Sequence, residues 1–234
     1  MNYKKMNKTL VDFWNHALAL PKEYSDEEIE KDNLDIKELA PSLKLYDAVS
    51  SLKDCKKVLD YGCGNGWASI VLANLGCKNI VSVDLGENII ETVNFYSKLY
   101  GVSDNITAKV IKPCWLKGIK EASFDGLVCS NVLDVIPLET SKEILDNFAR
   151  VLKPGAKAII GFNYYISKEY AKEGGIELKE DRYLILDGVL RLTCLSDSEW
   201  ISIFEKDFVV EKLDHFRWPG EELEKRRLFI LRRK

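Results

Sequence analysis

The stretch from Val58 to Gly66, Val-Leu-Asp-Tyr-Gly-Cys-Gly-Asn-Gly, constrains this chain more than any other. A short apolar run ends in an acid, Asp60. Gly62, Gly64 and Gly66 follow at alternate positions, and Ala68, Ile70, Val71, Leu72 and Ala73 then repeat as in a helix. The order reads as strand, tight turn, helix. Glycine admits φ > 0 and lets a ligand approach the main chain. The start of the helix offers N–H groups that have no partner within it. A second acid, Asp84, closes the apolar run Ile80-Val81-Ser82-Val83. It lies about twenty residues past the middle of the turn, where a carboxylate at the end of the next strand can take both hydroxyls of a ribose.

The glycine spacing excludes some ligands. A dinucleotide turn of the form G-x-G-x-x-G would place its third glycine at position 67, which is Trp67. Close packing against a pyrophosphate is therefore disfavoured, while adenosine binding stays open. A nicotinamide-dependent oxidoreductase is the alternative that Trp67 opposes. No Gly-Lys-Ser/Thr follows the turn, so the chain has no P-loop.

Beyond Val58, strand and helix patterns alternate, the signature of a mostly parallel sheet covered on both faces. The pattern predicts strands at Ile106–Ile111, Gly126–Cys129 and Ala156–Phe162, and a final pair at Phe208–Phe216 and Leu228–Leu231. Helices are expected after the glycine turn up to Gly76, from Glu87 to Tyr100, from a Thr140/Glu143 capping box to Arg150, and from Ser196/Glu199 to about Phe204. Residues 163–195 break the alternation as an insertion: Tyr183–Leu186 and Val189–Thr193 flank Asp187-Gly188, which suits a two-residue hairpin turn. Gly174-Gly175 precedes them as a potential hinge. Residues 1–54 read as a helical unit before a core of residues 55–234. Leu10, Phe13, Trp14, Ala17 and Leu18 form one apolar face ending at Pro21. Ser25 with Glu28 resembles a capping box, and a third helix runs from Ser42 to about Leu52.

With these residues in view, the chain resembles the class I, seven-stranded S-adenosylmethionine-dependent methyltransferases. Asp60-Tyr-Gly-Cys-Gly-Asn-Gly66 is similar to that family's first motif, and Asp84 to its ribose-binding acid. Ser123-Phe-Asp-Gly-Leu-Val-Cys-Ser-Asn131 looks like its fourth strand, and Arg150-Val-Leu-Lys-Pro-Gly155 like the turn before the fifth. The resemblance implies a Rossmann-like, doubly wound sheet whose last strand is antiparallel, with an N-terminal helical cover and a small hairpin insertion. It implies S-adenosylmethionine as cofactor, S-adenosylhomocysteine as product, and in-line methyl transfer. The residues it marks for the cofactor are Asp60, Tyr61, Gly62, Gly64, Asp84, Leu85, Cys114, Trp115, Asn131 and, from the cover, Trp14. Where relatives carry an acid for the adenine amino group, this chain has Pro113. Trp115 is then expected to pack on the ring, opposite Leu85. Asp134 and Tyr164, just past the fourth and fifth strands, are the candidate catalytic groups, needed only if the acceptor must lose a proton.

Charge and cysteine usage narrow the acceptor and the setting. A net charge of −3 gives no global attraction for nucleic acid. The fourth-strand end, Ser-Asn-Val-Leu, also lacks the Asn/Asp-Pro-Pro-aromatic motif of nucleobase amine methylation. A small-molecule acceptor is the expectation. The six cysteines form no C-x-x-C pair, and His16 and His215 are the only histidines, so no metal site is expected. With no apolar run of membrane length and no signal-like segment, a cytoplasmic protein with reduced thiols is expected. A module that binds the cofactor without catalysis, or a non-catalytic partner subunit, fits the same sequence, and the oligomeric state is not encoded in these patterns.

Overall fold

The computed structural model describes residues 3–19 and 35–234. The Ser25/Glu28 capping expectation lies outside the described residues. Helix α1 (Tyr3–Ala17) comes first, then α2 (Ile36–Leu39) and α3 (Leu43–Ser50). Ser42 caps α3, its hydroxyl accepting from the N–H groups of Lys44 and Leu45. The alternating core follows as β1 (Val58–Tyr61), α4 (Trp67–Asn74), β2 (Ile80–Asp84), α5 (Glu87–Leu99), β3 (Ile106–Val110), β4 (Phe124–Ser130), α6 (Leu138–Val151) and β5 (Leu152–Phe162). The chain then runs through α7 (Lys168–Glu173), β6 (Leu178–Lys179), β7 (Tyr183–Leu186), β8 (Val189–Thr193), α8 (Asp197–Phe204), β9 (Phe208–Phe216) and β10 (Arg226–Arg233).

Seven strands form one sheet in the order β3-β2-β1-β4-β5-β10-β9. The first five are parallel, and β10 runs antiparallel between β5 and β9. The pleat explains the double covering, because successive side chains point to opposite faces. Val58, Ile80, Val128 and Ile159 pack with α3 and α4, whereas Leu59, Val81, Leu127 and Ile160 pack with α6 and α8. On the latter face Phe162, Trp200, Phe204 and Phe229 interlock, with Phe162 and Trp200 ring centroids 4.6 Å apart. Since β2 and β4 flank β1, the chain departs to opposite sides from the strand that carries the glycine turn. A crevice opens there, at the carboxyl ends of the strands, where ligands bind in such sheets.

Three local expectations differ from the structure. The Thr140/Glu143 capping box does not form, because α6 begins earlier, at Leu138, with Pro137 in the capping position and no side-chain cap. Lys153-Pro-Gly155 is not a turn outside the fifth strand. It lies within β5, where the pairing to β4 jumps from Phe124–Leu152 to Gly126–Lys157. The insertion is more than a hairpin: β6 joins β7 and β8 in a three-stranded antiparallel sheet, preceded by α7. Its turn is the expected one, with Asp187 and Gly188 at φ 51° and 76° between the paired Leu186 and Val189. Ser196 and Glu199 form the expected capping box on α8. No helix among the described residues is long and apolar enough to cross a membrane.

Candidate active site

The turn after β1 is locked to β2: the N–H groups of Gly62 and Cys63 both donate to Val83 O, at 2.8 and 3.1 Å. Gly62 has φ +68°, and a Cβ there would lie 2.2 Å from Cγ2 of Val132. Only glycine fits without displacing the loop that follows β4. Asp60, at the end of β1, is buried, and its Oδ2 accepts from the Ser69 hydroxyl at 2.6 Å. That hydroxyl also lies 2.5 Å from Ser82 Oγ. Asp60 has no cationic partner among the described residues, and burial raises its pKa to about 6. A desolvated carboxylate facing a cavity with no counter-ion is a ready acceptor for a ligand ammonium.

Asp84 closes β2. Its Oδ1 accepts from the N–H of Leu85 at 2.7 Å and of Gly86 at 3.4 Å, and its Oδ2 takes a longer bond, 3.3 Å, from Gly64 N–H. Backbone donors hold the carboxylate in one orientation while Oδ2 keeps spare acceptor capacity. Burial raises its pKa above the usual carboxylate value.

Past β4, Asn131 adopts a left-handed backbone, φ 57°. Its Oδ1 accepts from Ser130 Oγ at 3.0 Å, and its Nδ2 donates to Asn163 Oδ1 at 2.8 Å. Asn163 Nδ2 in turn donates to Asp134 Oδ2 at 2.9 Å, and Asn163 N–H donates to the same oxygen at 2.7 Å. These four residues form one continuous hydrogen-bonded chain of a hydroxyl, two oriented amides and a carboxylate.

A single cavity of about 1190 Å³ gathers these groups. Its floor holds Asp60, Tyr61, Gly62, Gly64, Asp84, Leu85 and Asn131, with Ile111, Pro113 and Leu116 alongside. Its roof comes from α1, through Leu10, Val11, Trp14 and Leu18, and from the small sheet, through Leu184, Leu186, Arg191 and Leu192. Helix α1 is tied down at both sides of the opening. Asn15 Oδ1 accepts from Asn88 N–H at 2.9 Å, while Phe13 lies under the Arg191 guanidinium, 3.8 Å from carbon to ring centroid. Trp14 Nε1 is buried without a hydrogen-bond partner.

Residues 58–155 match a family described as a methyltransferase domain. The matched segment is similar to methyltransferase domains. It contains the glycine turn, Asp84 and the loop after β4. A ubiquinone biosynthesis O-methyltransferase of Xanthomonas axonopodis pv. citri is 30% identical over 104 residues, which cover 44% of this chain and 41% of that protein. The chain thus spans about two fifths of the length of such curated relatives. Among solved structures, the N-methyltransferase NodS of Bradyrhizobium japonicum, in complex with S-adenosylhomocysteine, shares the fold at 16% identity and a TM-score of 0.64. That match covers 96% of this chain and 98% of NodS. The 1,6-didemethyltoxoflavin-N1-methyltransferase of Burkholderia thailandensis shares it at 13% identity and a TM-score of 0.69, over 99% of this chain and 89% of that one.

The matched segment and the roof bring most of the expected site residues to one cavity: Asp60, Tyr61, Gly62, Gly64, Asp84, Leu85, Asn131, Trp14 and Tyr164 all line it. Three of the expected residues lie outside its lining. Asp134 is fully buried and lies outside the cavity lining, with Oδ2 accepting from Asn163 and Oδ1 without a hydrogen-bond partner. Cys114 is exposed and does not line the cavity. Trp115 does not line it either. The single 3-10 turn Trp115–Gly118 presents Leu116 there instead, while Trp115 packs against the core on the α6 face. Pro113 and Leu116 supply the apolar surface of the lining in this stretch. Sequence reasoning missed Asn163, Arg191, Trp218 and Arg226. Their only signal was position just after β5 or within the insertion and the last strand pair.

The observed groups fit an adenosylated amino acid: a backbone-held carboxylate, a glycine turn no side chain can fill, and a buried uncompensated acid. Among the described residues, no cluster of His, Cys, Asp and Glu could hold a metal ion.

Proposed function

We propose that this chain transfers the methyl group of S-adenosylmethionine to a small-molecule acceptor bound under the roof of the same cavity. The observation that carries the reading is the cavity itself. At about 1190 Å³ it holds the motif residues at one end and an apolar roof at the other, and it exceeds the roughly 300–1,000 Å³ of a pocket for one drug-sized ligand. When bound, the cofactor supplies an electrophilic methyl on a positively charged sulfur, which keeps the bonding pair as a neutral thioether while the acceptor's lone pair forms the new bond.

The residues of this chain orient and desolvate. Asp84 takes the ribose hydroxyls, Asp60 faces the ammonium, and the Gly62–Gly64 turn lets the cofactor lie against the main chain. Leu85, Ile111 and Pro113 flank the adenine, and Asn131, fixed by Asn163, borders the methionine end. Holding donor and acceptor in line in a dry chamber supplies most of the acceleration. No histidine lines the cavity, so Tyr164 is the hydroxyl placed to orient an acceptor nucleophile, whose proton leaves to water. Residues 1–54 act as the cover and 163–195 as the second roof element. We place the reaction in the cytoplasm, a reading supported by six cysteines that are all unpaired.

Calorimetry with S-adenosylhomocysteine, with and without chelator, tests the cofactor. Labelled methyl transfer to a low-molecular-weight extract tests the reaction. Binding and labelling are expected without added metal. No heat with either cofactor form would end the proposal.

A further inference from the structure

Among the described residues, three cationic side chains line the cavity: Lys117, Arg191 and Arg226. Two are already neutralised. Lys117 Nζ lies 2.6 Å from Glu143 Oε1. Arg226 forks onto Glu221 through Nε and Nη2, with Nη2 2.6 Å from Oε1, and lies over Trp218 at 3.5 Å. Arg191 differs from both. Its one described partner is the Phe13 ring, 3.8 Å from the guanidinium carbon, and it forms no ion pair or hydrogen bond within the described residues. A guanidinium carries five N–H donors in a fixed fork. A cation over an aromatic face satisfies its charge in part but uses none of those donors as hydrogen bonds to oxygen.

We propose that Arg191 recognises an anionic group of the acceptor, and that the acceptor is an apolar molecule carrying a single carboxylate. This rests on the methyltransferase reading given above. The surroundings fix both halves of the description. The two roof elements, α1 and the small sheet, bring Leu10, Val11, Leu184, Leu186 and Leu192 to the same lining as Arg191, with Asp12 and Asp187 beside them, and the apolar walls select an aryl or alkyl body. The charge is limited to one because the cavity is also lined by Asp12, Asp60, Asp84 and Asp187, Glu143 being paired with Lys117. With one unpaired cation among these acids, a dianion such as a phosphate monoester is repelled, whereas a carboxylate matches the planar fork in a bidentate pair. Phe13 serves as the platform that holds the fork at the roof.

The competing role for Arg191 is to staple α1 to β8, and the test separates the two. The S-adenosylhomocysteine-loaded protein is titrated with 3-phenylpropionate and octanoate, and with their uncharged amides. The acids are expected to bind at least about tenfold more tightly than the amides, as a charge-assisted pair requires. In Arg191→Gln that preference should vanish while amide and S-adenosylhomocysteine affinities stay at the wild-type value; Arg191→Lys should keep part of it. Equal binding of acids and amides by the wild type, or no binding of the acids, overturns the proposal. So does an Arg191→Gln variant that weakens acids, amides and cofactor alike, which is the signature of a staple. Failure of the wild type to bind S-adenosylhomocysteine sinks the methyltransferase reading instead.

Discussion

One oxygen of Asp134 accepts from both the backbone N–H and the side-chain amide of Asn163, at 2.7 and 2.9 Å. This fixes which way the Asn163 amide faces, because its nitrogen is committed to Asp134. Its oxygen must then serve Asn131 Nδ2 at 2.8 Å and Arg226 Nη1 at 2.6 Å. A buried acid thereby orients an amide at the cavity wall without touching the cavity. Burial raises the pKa of Asp134, and the nearby Arg227 and the Asn163 donors partly offset the effect.

Asp134→Ala should therefore act first on stability. It strands two donors of Asn163 and removes the charge facing buried Arg227, so a loss of about 3–5 kcal/mol in urea denaturation is expected. A loss below about 1 kcal/mol would show that the network holds itself without the acid.

Asp84→Asn keeps one acceptor oxygen for the Leu85 and Gly86 N–H groups, gives up the long bond from Gly64 N–H and removes the charge. Hydrogen bonds to a charged group contribute roughly 1.5–3 kcal/mol each, so the dissociation constant for S-adenosylhomocysteine should rise at least about tenfold. The melting temperature without ligand should change little. An unchanged dissociation constant in a folded variant would take Asp84 out of the site.

Asp60 predicts a pH dependence of known sign. Its folded pKa, about 6, is raised from the ordinary 3.8. In the ligand-free protein its contribution to stability is thus fully present below the unfolded value and is lost as pH rises through about 6. A ligand ammonium reverses the balance by favouring the carboxylate. Affinity for S-adenosylhomocysteine should then be full above pH 6 and fall below it, by at most about tenfold per pH unit. The buried Asp84 shifts in the same direction. Calorimetry between pH 5 and 8 on wild type and Asp60→Asn checks this, the variant losing the Asp60 part of the slope. A flat profile in the wild type would separate Asp60 from the ammonium.

Gly62→Ala combines two penalties that a double variant can divide. Alanine at φ +68° is strained, and its Cβ would meet Val132 Cγ2 at 2.2 Å. The conformational part is roughly 1–2 kcal/mol. Val132→Ala should restore the steric part and leave the conformational part, read as a coupling energy in a double-mutant cycle. Full additivity would show that the loop after β4 moves aside freely.

The sheet and its glycine turn were legible in the sequence because they follow local rules. Apolar runs of strand length, glycines where a turn must tighten, and an acid at each strand end all lie within short windows. Boundaries were missed where a neighbour decides them. Helix α6 starts at Leu138 rather than at Thr140, and β5 extends back through Pro154 and Gly155 by means of an irregular pairing. Trp115 shows the limit most clearly. A single 3-10 turn, held by Arg150 donating to the carbonyls of Leu116 and Ile119, brings Leu116 to the cavity lining and leaves Trp115 outside it. The roof was least legible, since Phe13 and Arg191 meet across almost the whole chain and neither carries a motif.

That separation along the chain has a consequence for how such a protein can diversify. The floor comes largely from residues 58–155, whereas α1 and the three-stranded sheet are spliced in from outside that stretch. Point changes or grafts in the roof can re-tailor the chamber facing the acceptor while the glycine turn and Asp84 stay as they are. A lineage built this way would exchange customers without retooling its methyl supply, and a chimera carrying 163–195 on another such floor should inherit the donor's taste in acceptors.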